Sequence, residues 1–327
     1  MTIYAFEVRD YEREFFEKIS KSQQVNLVLS EDHIDFDNLP EFDSGCGVCV
    51  LGLKEFRKKE LDALKSAGVL YFSTRTIGYN HIDVEYAKQI GLHVCAASYP
   101  PNGVADYTVM MILLCLRHYK QALWRTQVND FSLDGLMGRE LKDLTVGILG
   151  TGKIGATVAR NLSGFGCRLL AYDKYENPSI KDIVTYADLD TLYKEADIIT
   201  LHMPLFPETY HIINDESISK MKDGVVIVNC ARGALMDIDS LIRNIENEKI
   251  GALGLDCIEH EEGIIHQNLK TNIISNQQMA YLRQFKNVVH TQHMAFFTDC
   301  AIESMVNSAV LGTLDMAAGK DFATRLC

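Results

Sequence analysis

LTVGILGTGKIGATVARNL, residues 144–162, is the stretch on which the reading of this chain turns. Its first six residues, Leu144–Leu149, form an apolar run short enough for a buried strand, and Ala156–Leu162 has the composition of the first turns of a helix. Gly150, Gly152 and Gly155 therefore fall at a strand-to-helix turn, the context that gives a G-x-G-x-x-G pattern its meaning. The first glycine permits the tight turn, the second lets the backbone approach a pyrophosphate, and the third lets helix and strand pack closely. Free N–H groups at the helix N-terminus then meet the pyrophosphate charge. A second strand, Arg168–Tyr172, ends at Asp173, whose carboxylate can accept hydrogen bonds from both hydroxyls of an adenosine ribose. Strand, glycine turn, helix and acidic residue in this order point to a bound dinucleotide.

The alternation continues in both directions. Downstream, strands are expected at Ile198–Leu201, Val225–Val228, Ala252–Leu255 and Val288–His290. Upstream, Ile3–Phe6, Gly47–Leu51, Leu70–Ser73 and His93–Ala96 alternate with polar helices near Tyr11–Ser20, Lys58–Ala67 and Val84–Gln89, the pattern of a parallel α/β sheet. A long apolar helix, Gly103–His118, follows the Pro100-Pro101 break. A last helix, Cys300–Ala318, comes after the sheet has run out, so it is expected to return to the first domain. The expected fold is α/β, with two Rossmann-like domains built on parallel sheets, one flavodoxin-like and one dinucleotide-binding. Residues 1–99, completed by 299–327, are read as a substrate domain and residues 100–298 as the dinucleotide domain.

Composition narrows the partners. A length of 327 residues suffices for two ordinary domains, and 47% hydrophobic with 23% charged residues suits a soluble globular protein. A net charge of −12 would be repelled by nucleic acid or an anionic membrane, so neither is expected as a partner. The longest apolar run, Val109–Leu116, is far short of the roughly 20 residues that cross a bilayer. Ile3–Phe6 passes at once into Glu7, Arg9 and Asp10, which is not the pattern of a signal peptide. Nine cysteines, an odd number and mostly in apolar segments, read as reduced thiols of a cytoplasmic protein. Cys46 and Cys49 form a C-x-x-C without a second pair inside CGVCVLGL, which favours burial over redox or zinc chemistry. No metal site is expected.

Three polar residues follow strands of the second sheet: Arg232 in NCARGAL, Glu261 in LDCIEHE and His293 in HTQHMAFFT. Hydride transfer to a 2-oxo acid needs all three types. The substrate carboxylate and carbonyl want a planar, permanently charged donor, which is Arg rather than Lys. The developing alkoxide wants a proton from a group poised near neutrality, which is His. A carboxylate on the far imidazole nitrogen holds the ring and raises its pKa. Each has a plainer reading: a surface ion pair for Arg232, an acidic stretch (Glu259, Glu261, Glu262) for Glu261, and competition from His290 for His293. Their shared position after strands of one sheet favours the catalytic reading.

With these motifs in order over nearly the whole chain, the sequence resembles the D-2-hydroxyacid dehydrogenases. The resemblance rests on Leu144–Ala156, Ala196–Pro204 (ADIITLHMP), Val228–Gly233 (VNCARG), Leu255–Glu261 and His293–Thr298. It implies NAD as cofactor and a small-molecule 2-oxo or 2-hydroxy acid as substrate. It also implies that Arg232 binds and polarises the oxo acid, that Glu261 orients His293, and that His293 is the acid/base. Lys153 and Ile154 would lie on the pyrophosphate and Asp173 on the ribose, with Met203, Pro204, Thr209, Cys230, Ala231 and Asp256 as further cofactor contacts. Arg75–Asp83 (RTIGYNHID) is similar to the loop whose amides, here at Ile77 and Gly78, hold the substrate carboxylate, and Tyr99 resembles a pocket residue. The long segment between Glu261 and His293 is similar to the D-lactate and D-2-hydroxyisocaproate dehydrogenase branch. Gln292, where the family usually has Pro, and Met294 depart from the pattern without removing a functional group. A homodimer through the dinucleotide domains is implied, with Gly103–His118 as the expected contact.

Counting back from Arg75 places Leu51 where lactate-selective relatives resemble one another in carrying a tyrosine. Leucine is smaller and brings no hydroxyl, so the pocket wall, faced by Tyr99 and Phe296, is expected to suit branched or aromatic side chains such as that of phenylpyruvate. The competing reading buries Leu51 in the core. The expected function is NADH-dependent reduction of a 2-oxo acid to the D-2-hydroxy acid. Its rivals are a phosphoglycerate-type dehydrogenase, which would want added basic residues, and a non-enzymatic NADH-sensing module of the co-repressor kind.

Overall fold

Strand β3, Cys46–Val50, is buried along its whole length in the middle of a five-stranded sheet. Side chains alternate between the faces of a strand, and here the alternation divides them between two cores. Cys46, Val48 and Val50 join Phe56, Leu61 and Phe72 on one face, while Cys49 joins Ile3, Phe16 and Val310 on the other. The two cysteines of the C-x-x-C therefore point to opposite sides of the sheet and cannot share a ligand. All nine cysteines are unpaired.

The computed structural model describes residues 1–327, which form two units: Met1–Pro100 with Phe297–Cys327, and Pro101–Phe296. In the first unit β3 is joined by β1 (Thr2–Ala5), β2 (Asn26–Leu29), β4 (Val69–Thr74) and β5 (His93–Cys95), all parallel, in the order β2-β1-β3-β4-β5. This is the flavodoxin-like order. Strand β2 was not anticipated. Its four residues alternate exposed and half-buried at the sheet edge, too little apolar signal to read. Helices α1 (Asp10–Gln23), α2 (Lys58–Ser66) and α3 (Val84–Gln89) connect the strands, and α11 (Asp299–Ala317) closes one face. Thr298 caps α11, and Val306, Ala309 and Val310 of α11 share a core with Ile3, Phe16 and Ile19.

A buried ion pair anchors this unit. Arg75, immediately after β4, and Glu12 of α1 are both wholly buried, with Arg75 Nε 2.7 Å from Glu12 Oε1. Arg75 also donates to the carbonyls of Phe6 and Glu7 and to Cys49 Sγ, and lies over the Phe16 ring. Removing one partner of such a pair typically costs about 3–5 kcal/mol, because the other is left charged and dry. Arg75 is thus the internal root of the loop Arg75–Asp83, with its head turned away from solvent.

The second unit carries β6 (Thr145–Leu149), β7 (Arg168–Tyr172), β8 (Thr185–Tyr186), β9 (Ile198–Leu201), β10 (Val225–Asn229), β11 (Ile250–Leu255) and β12 (Val288–His290). All are parallel, in the order β12-β11-β10-β9-β6-β7-β8. The chain runs from β6 outward to β8, then returns to the other side of β6 with β9. Open α/β sheets bind ligands at this reversal, outside the carboxyl ends of the strands.

The helices of this unit are α4 (Asn102–Leu116), α5 (Tyr119–Gln127), α6 (Lys153–Ser163), α7 (Leu189–Glu195), α8 (Asp215–Ser219), α9 (Ile238–Glu246) and α10 (Gln277–Leu282). A mostly apolar helix buries most of its surface, and so does α4. Val104, Thr108, Met111, Ile112 and Cys115 are buried, and the helix packs on α6, β10 and β11. Met110 of this helix stays 39% exposed. The exposed apolar side chains come next, on α5 and the loop after it: Tyr119, Leu123, Trp124, Phe131, Leu133 and Met137 are 50–90% exposed. No helix is long and apolar enough to cross a membrane.

Candidate active site

After β6 the chain turns through Gly150, at φ +94°, into α6. A Cβ on Gly155 would stand 1.9 Å from the Gly150 carbonyl oxygen, so helix and turn touch backbone to backbone. At Gly152, the N-cap of α6, nothing lies within 4 Å of where a Cβ would be. The first N–H of the helix to find its partner is that of Ala156, donating to Gly152 O at 2.9 Å. The amides before it are the free donors of a helix start, at the positive end of the helix dipole. Open space over an N-terminus of this kind fits the pyrophosphate of NAD.

Asp173, just past β7, has a second task that the sequence did not disclose. Its Oδ2 accepts Thr151 N (2.6 Å) and Thr151 Oγ1 (3.1 Å), and its Oδ1 accepts Tyr175 N (3.0 Å). It therefore pins the glycine turn from below, helped by Asn177 Nδ2 on the Thr151 carbonyl (2.8 Å). A carboxylate has about four acceptor positions, so room remains for ribose hydroxyls. Among the other expected cofactor residues, Lys153 and Pro204 are exposed, Ile154, Thr209 and Ala231 half-buried, and Met203 and Cys230 buried. Thr209 Oγ1 donates to Pro204 O (2.7 Å) and closes that turn on itself.

Arg232 owes its place to neutral neighbours. Asn229, wholly buried at the end of β10, accepts Ala231 N (2.9 Å) and donates to Arg232 O (2.8 Å). A Cβ on Gly233 would lie 2.2 Å from the Ile258 carbonyl carbon. The Arg232 loop and the loop leading to Glu261 are thus in backbone contact, which only glycine allows. Glu261 Oε2 accepts Ile258 N (3.0 Å), and its Oε1 lies 2.5 Å from His293 Nδ1. The arrangement leaves His293 Nε2 for a substrate oxygen, with the ring 29% exposed.

His293 has a left-handed backbone, φ +54°, a conformation that persists in a non-glycine residue only when its surroundings impose it. Asp256 does so. It is wholly buried, its Oδ1 accepting Met294 N (2.9 Å) and Thr291 Oγ1 (2.7 Å), and its Oδ2 accepting Ala295 N (2.8 Å). Asp256, expected as a cofactor contact, holds the His293 loop from inside. Burial works against a charged His293 ring. The hydrogen bond and charge of Glu261, with the charge of Asp256, outweigh it and raise the pKa above the ordinary histidine value, while Arg232 opposes them. His290 differs: burial lowers its pKa, and its buried Nε2 has no partner. Of the two, only His293 is paired with a carboxylate.

Asn276 was missed. It caps α10, accepting Met279 N (2.9 Å), while its Nδ2 donates to the carbonyls of Glu259 and His260 (3.0 and 3.1 Å), which steadies the Glu261 loop. An Asn before a helix is a legible cap, but its grip on carbonyls 16 and 17 residues earlier is not. Phe296 meets the His266 ring edge to face, and His266 Nε2 donates to the His293 carbonyl (3.1 Å).

In the first unit, the N–H groups of Ile77 and Gly78 make no hydrogen bond within the chain, and Ile77 is 41% exposed. Two successive free amides form an anion-binding concavity. Tyr99 is half-buried, and Leu51 is 9% exposed.

Residues 109–295 match the family model described as D-isomer specific 2-hydroxyacid dehydrogenase, NAD binding domain. The chain is 40% identical over 314 residues to an aromatic 2-oxoacid reductase of Clostridium sporogenes, covering 95% of each. It is 34% identical to a D-lactate dehydrogenase of Escherichia coli, covering 98% of each. Its fold matches the crystal structure of a D-lactate dehydrogenase from Treponema pallidum with a TM-score of 0.89 at 30% identity, covering 99% of each chain. The match extends over both units, and the chain belongs to the D-isomer specific 2-hydroxyacid dehydrogenase family of NAD-dependent oxidoreductases.

Proposed function

We propose that this protein reduces 2-oxo acids to D-2-hydroxy acids with NADH, and that its pocket favours branched or aromatic side chains over the methyl of pyruvate. The observation that carries the reaction is the Glu261–His293 pair at 2.5 Å, with its raised pKa and Arg232 close enough to oppose it. NADH, when bound, supplies the hydride. The chain's own residues do the rest. Arg232 holds the substrate carboxylate and polarises the carbonyl, and His293 Nε2 gives its proton to the carbonyl oxygen as that oxygen gains charge. Glu261 keeps the ring protonated and turned by holding Nδ1. In the first unit the free amides of Ile77 and Gly78 are donors for a carboxylate. Lys153, Ile154, Asp173, Met203, Pro204, Thr209, Cys230, Ala231 and Asp256 hold the cofactor, with residues 100–298 as the NAD-binding domain and residues 1–99 and 299–327 as the substrate domain.

Leu51 supports the larger substrates, with Tyr99 and Phe296 also read as substrate residues, and the relative described as an aromatic 2-oxoacid reductase points the same way. A homodimer is part of the reading, supported by the exposed apolar side chains of α5 and the following loop.

Reduction needs the imidazolium, so kcat/KM for the oxo acid should fall as pH rises through the raised His293 pKa. Glu261→Gln should move that limb to lower pH, because the ring loses its anionic partner. His293→Ala should lower kcat by about 10² to 10⁴ while NADH affinity is kept. Near-normal turnover in that variant would remove His293 from the mechanism.

The Asp173 carboxylate should repel the added phosphate of NADPH, giving NADH a preference of at least about tenfold in kcat/KM, roughly 1.4 kcal/mol. Asp173→Asn, which keeps an acceptor for Thr151, should narrow the gap. Equal kcat/KM for the two cofactors in the wild type would refute the assignment.

For the pocket, kcat/KM for phenylpyruvate or 4-methyl-2-oxopentanoate should equal or exceed that for pyruvate, since each buried methylene contributes about 0.8 kcal/mol. Leu51→Tyr should shift the preference toward pyruvate. A clear wild-type preference for pyruvate with no gain in Leu51→Tyr would sink the pocket while leaving the reaction in place.

Light scattering should give twice the chain mass, and Trp124→Glu with Leu133→Asp should reduce it to one chain. A wild-type monomer would end the dimer reading.

A further inference from the structure

The turn between β1 and α1 hides a carboxylate that the reaction does not use. Glu7 is 2% exposed and has φ +60°, a left-handed conformation that turns its side chain under the end of β3. Its Oε2 accepts three successive backbone amides, those of Leu51 (2.9 Å), Gly52 (3.0 Å) and Leu53 (3.4 Å). Its Oε1 lies 2.6 Å from Nδ1 of half-exposed His33. Hydrogen bonds to an ionised acceptor are about twice as strong as neutral ones, and three from consecutive residues fix the turn as a unit. The other end of the turn is fixed too. Arg75 N donates to Val50 O at 2.8 Å, and Arg75 Nη2 donates to the Glu7 carbonyl at 3.2 Å.

This turn carries Leu51 and presses on the neighbouring loop. Gly52, at φ +85°, comes so close that a Cβ there would stand 2.7 Å from His81 Nε2 and 3.2 Å from Thr74 Oγ1. Thr74 Oγ1 in turn lies 2.8 Å from Thr76 Oγ1, which donates to Gly78 O at 2.7 Å. One carboxylate therefore sets the direction of Leu51 and, through Gly52, borders the loop with the free Ile77 and Gly78 amides.

We propose that Glu7 is the positioning residue for substrate selection: by gathering the amides of Leu51, Gly52 and Leu53 it holds Leu51 as an apolar wall for a bulky 2-oxo acid side chain. Without it, three amides must find other acceptors, the turn loosens, and the wall recedes. Pyruvate, whose methyl reaches little of the wall, depends on it least. The inference rests on Leu51 lining the pocket, as read above.

The test is the ratio of kcat/KM for phenylpyruvate to that for pyruvate, at saturating NADH, in the wild type, Glu7→Gln and Glu7→Ala. Glu7→Ala should lower the ratio about fivefold or more, within the span that pocket contacts of this size command. Glu7→Gln keeps one acceptor oxygen and should lie between the two. The affinity for NADH and the pH limb of reduction should stay at wild-type values. A residue that only stabilises the fold would depress both substrates alike and leave the ratio unmoved. A Glu7→Ala protein with wild-type melting behaviour and an unchanged ratio overturns the proposal. If Glu7→Ala does not fold, an unchanged ratio in folded Glu7→Gln overturns it. Leu51→Ala and Leu51→Tyr separate the two readings. If they move the ratio and the Glu7 variants do not, positioning by Glu7 fails and the pocket stands. If the Leu51 variants leave the ratio unmoved, the pocket reading falls, and this inference with it.

Discussion

A carboxylate that accepts backbone N–H groups is the interaction on which the functional loops of both units depend. Loops that leave the carboxyl ends of parallel strands lose the ladder partners of their amides, and a buried amide without a partner costs about 1–3 kcal/mol. Here acidic side chains take that place. Glu7 gathers the turn after β3, Asp173 the glycine turn after β6, Asp256 the His293 loop after β12, and Glu261 the amide of Ile258 after β11. Each carboxylate is partly offset by local N–H dipoles. That is how a chain of net charge −12 can carry so many carboxylates near residues assigned to anionic ligands. The amides at the N-terminus of α6 are left over, and Arg232 lies near enough to His293 to oppose its charge.

The Glu261–His293 pair shows a division of labour that follows from this. Asp256 imposes the left-handed backbone of His293 without touching its ring, and Glu261 holds the ring through Nδ1. Position and protonation are thus set by separate groups, and the second carboxylate adds only its field to the first. Neutral side chains hold the charged ones in turn: Asn229 bends the chain at Arg232, and Asn276 grips the carbonyls beside Glu261. Amides do this without adding charge of their own, so the balance that raises the His293 pKa is left to Glu261, Asp256 and Arg232.

Local pattern made much of this protein legible in advance. Strand alternation, the glycine turn and its acidic partner depend on neighbours within about thirty residues, and sequence by itself determined the α/β class, most strands of both sheets, the dinucleotide turn, and Arg232, Glu261 and His293 as candidates. The choice of His293 over His290 was not decided there, because the two differ in what surrounds them and not in type. One faces Glu261 from 32 residues away, and the other has no partner for its buried nitrogen. Tertiary structure also decided that α4 packs on β10 and β11, that Asp256 works from inside the His293 loop, and that Glu7 and Arg75 face inward despite their charge. The physical reason is common to all of these. A side chain's chemistry is written in its own residue, but its burial, its partner and its pKa belong to contacts between residues far apart in the chain, and those exist only once the sheets have formed.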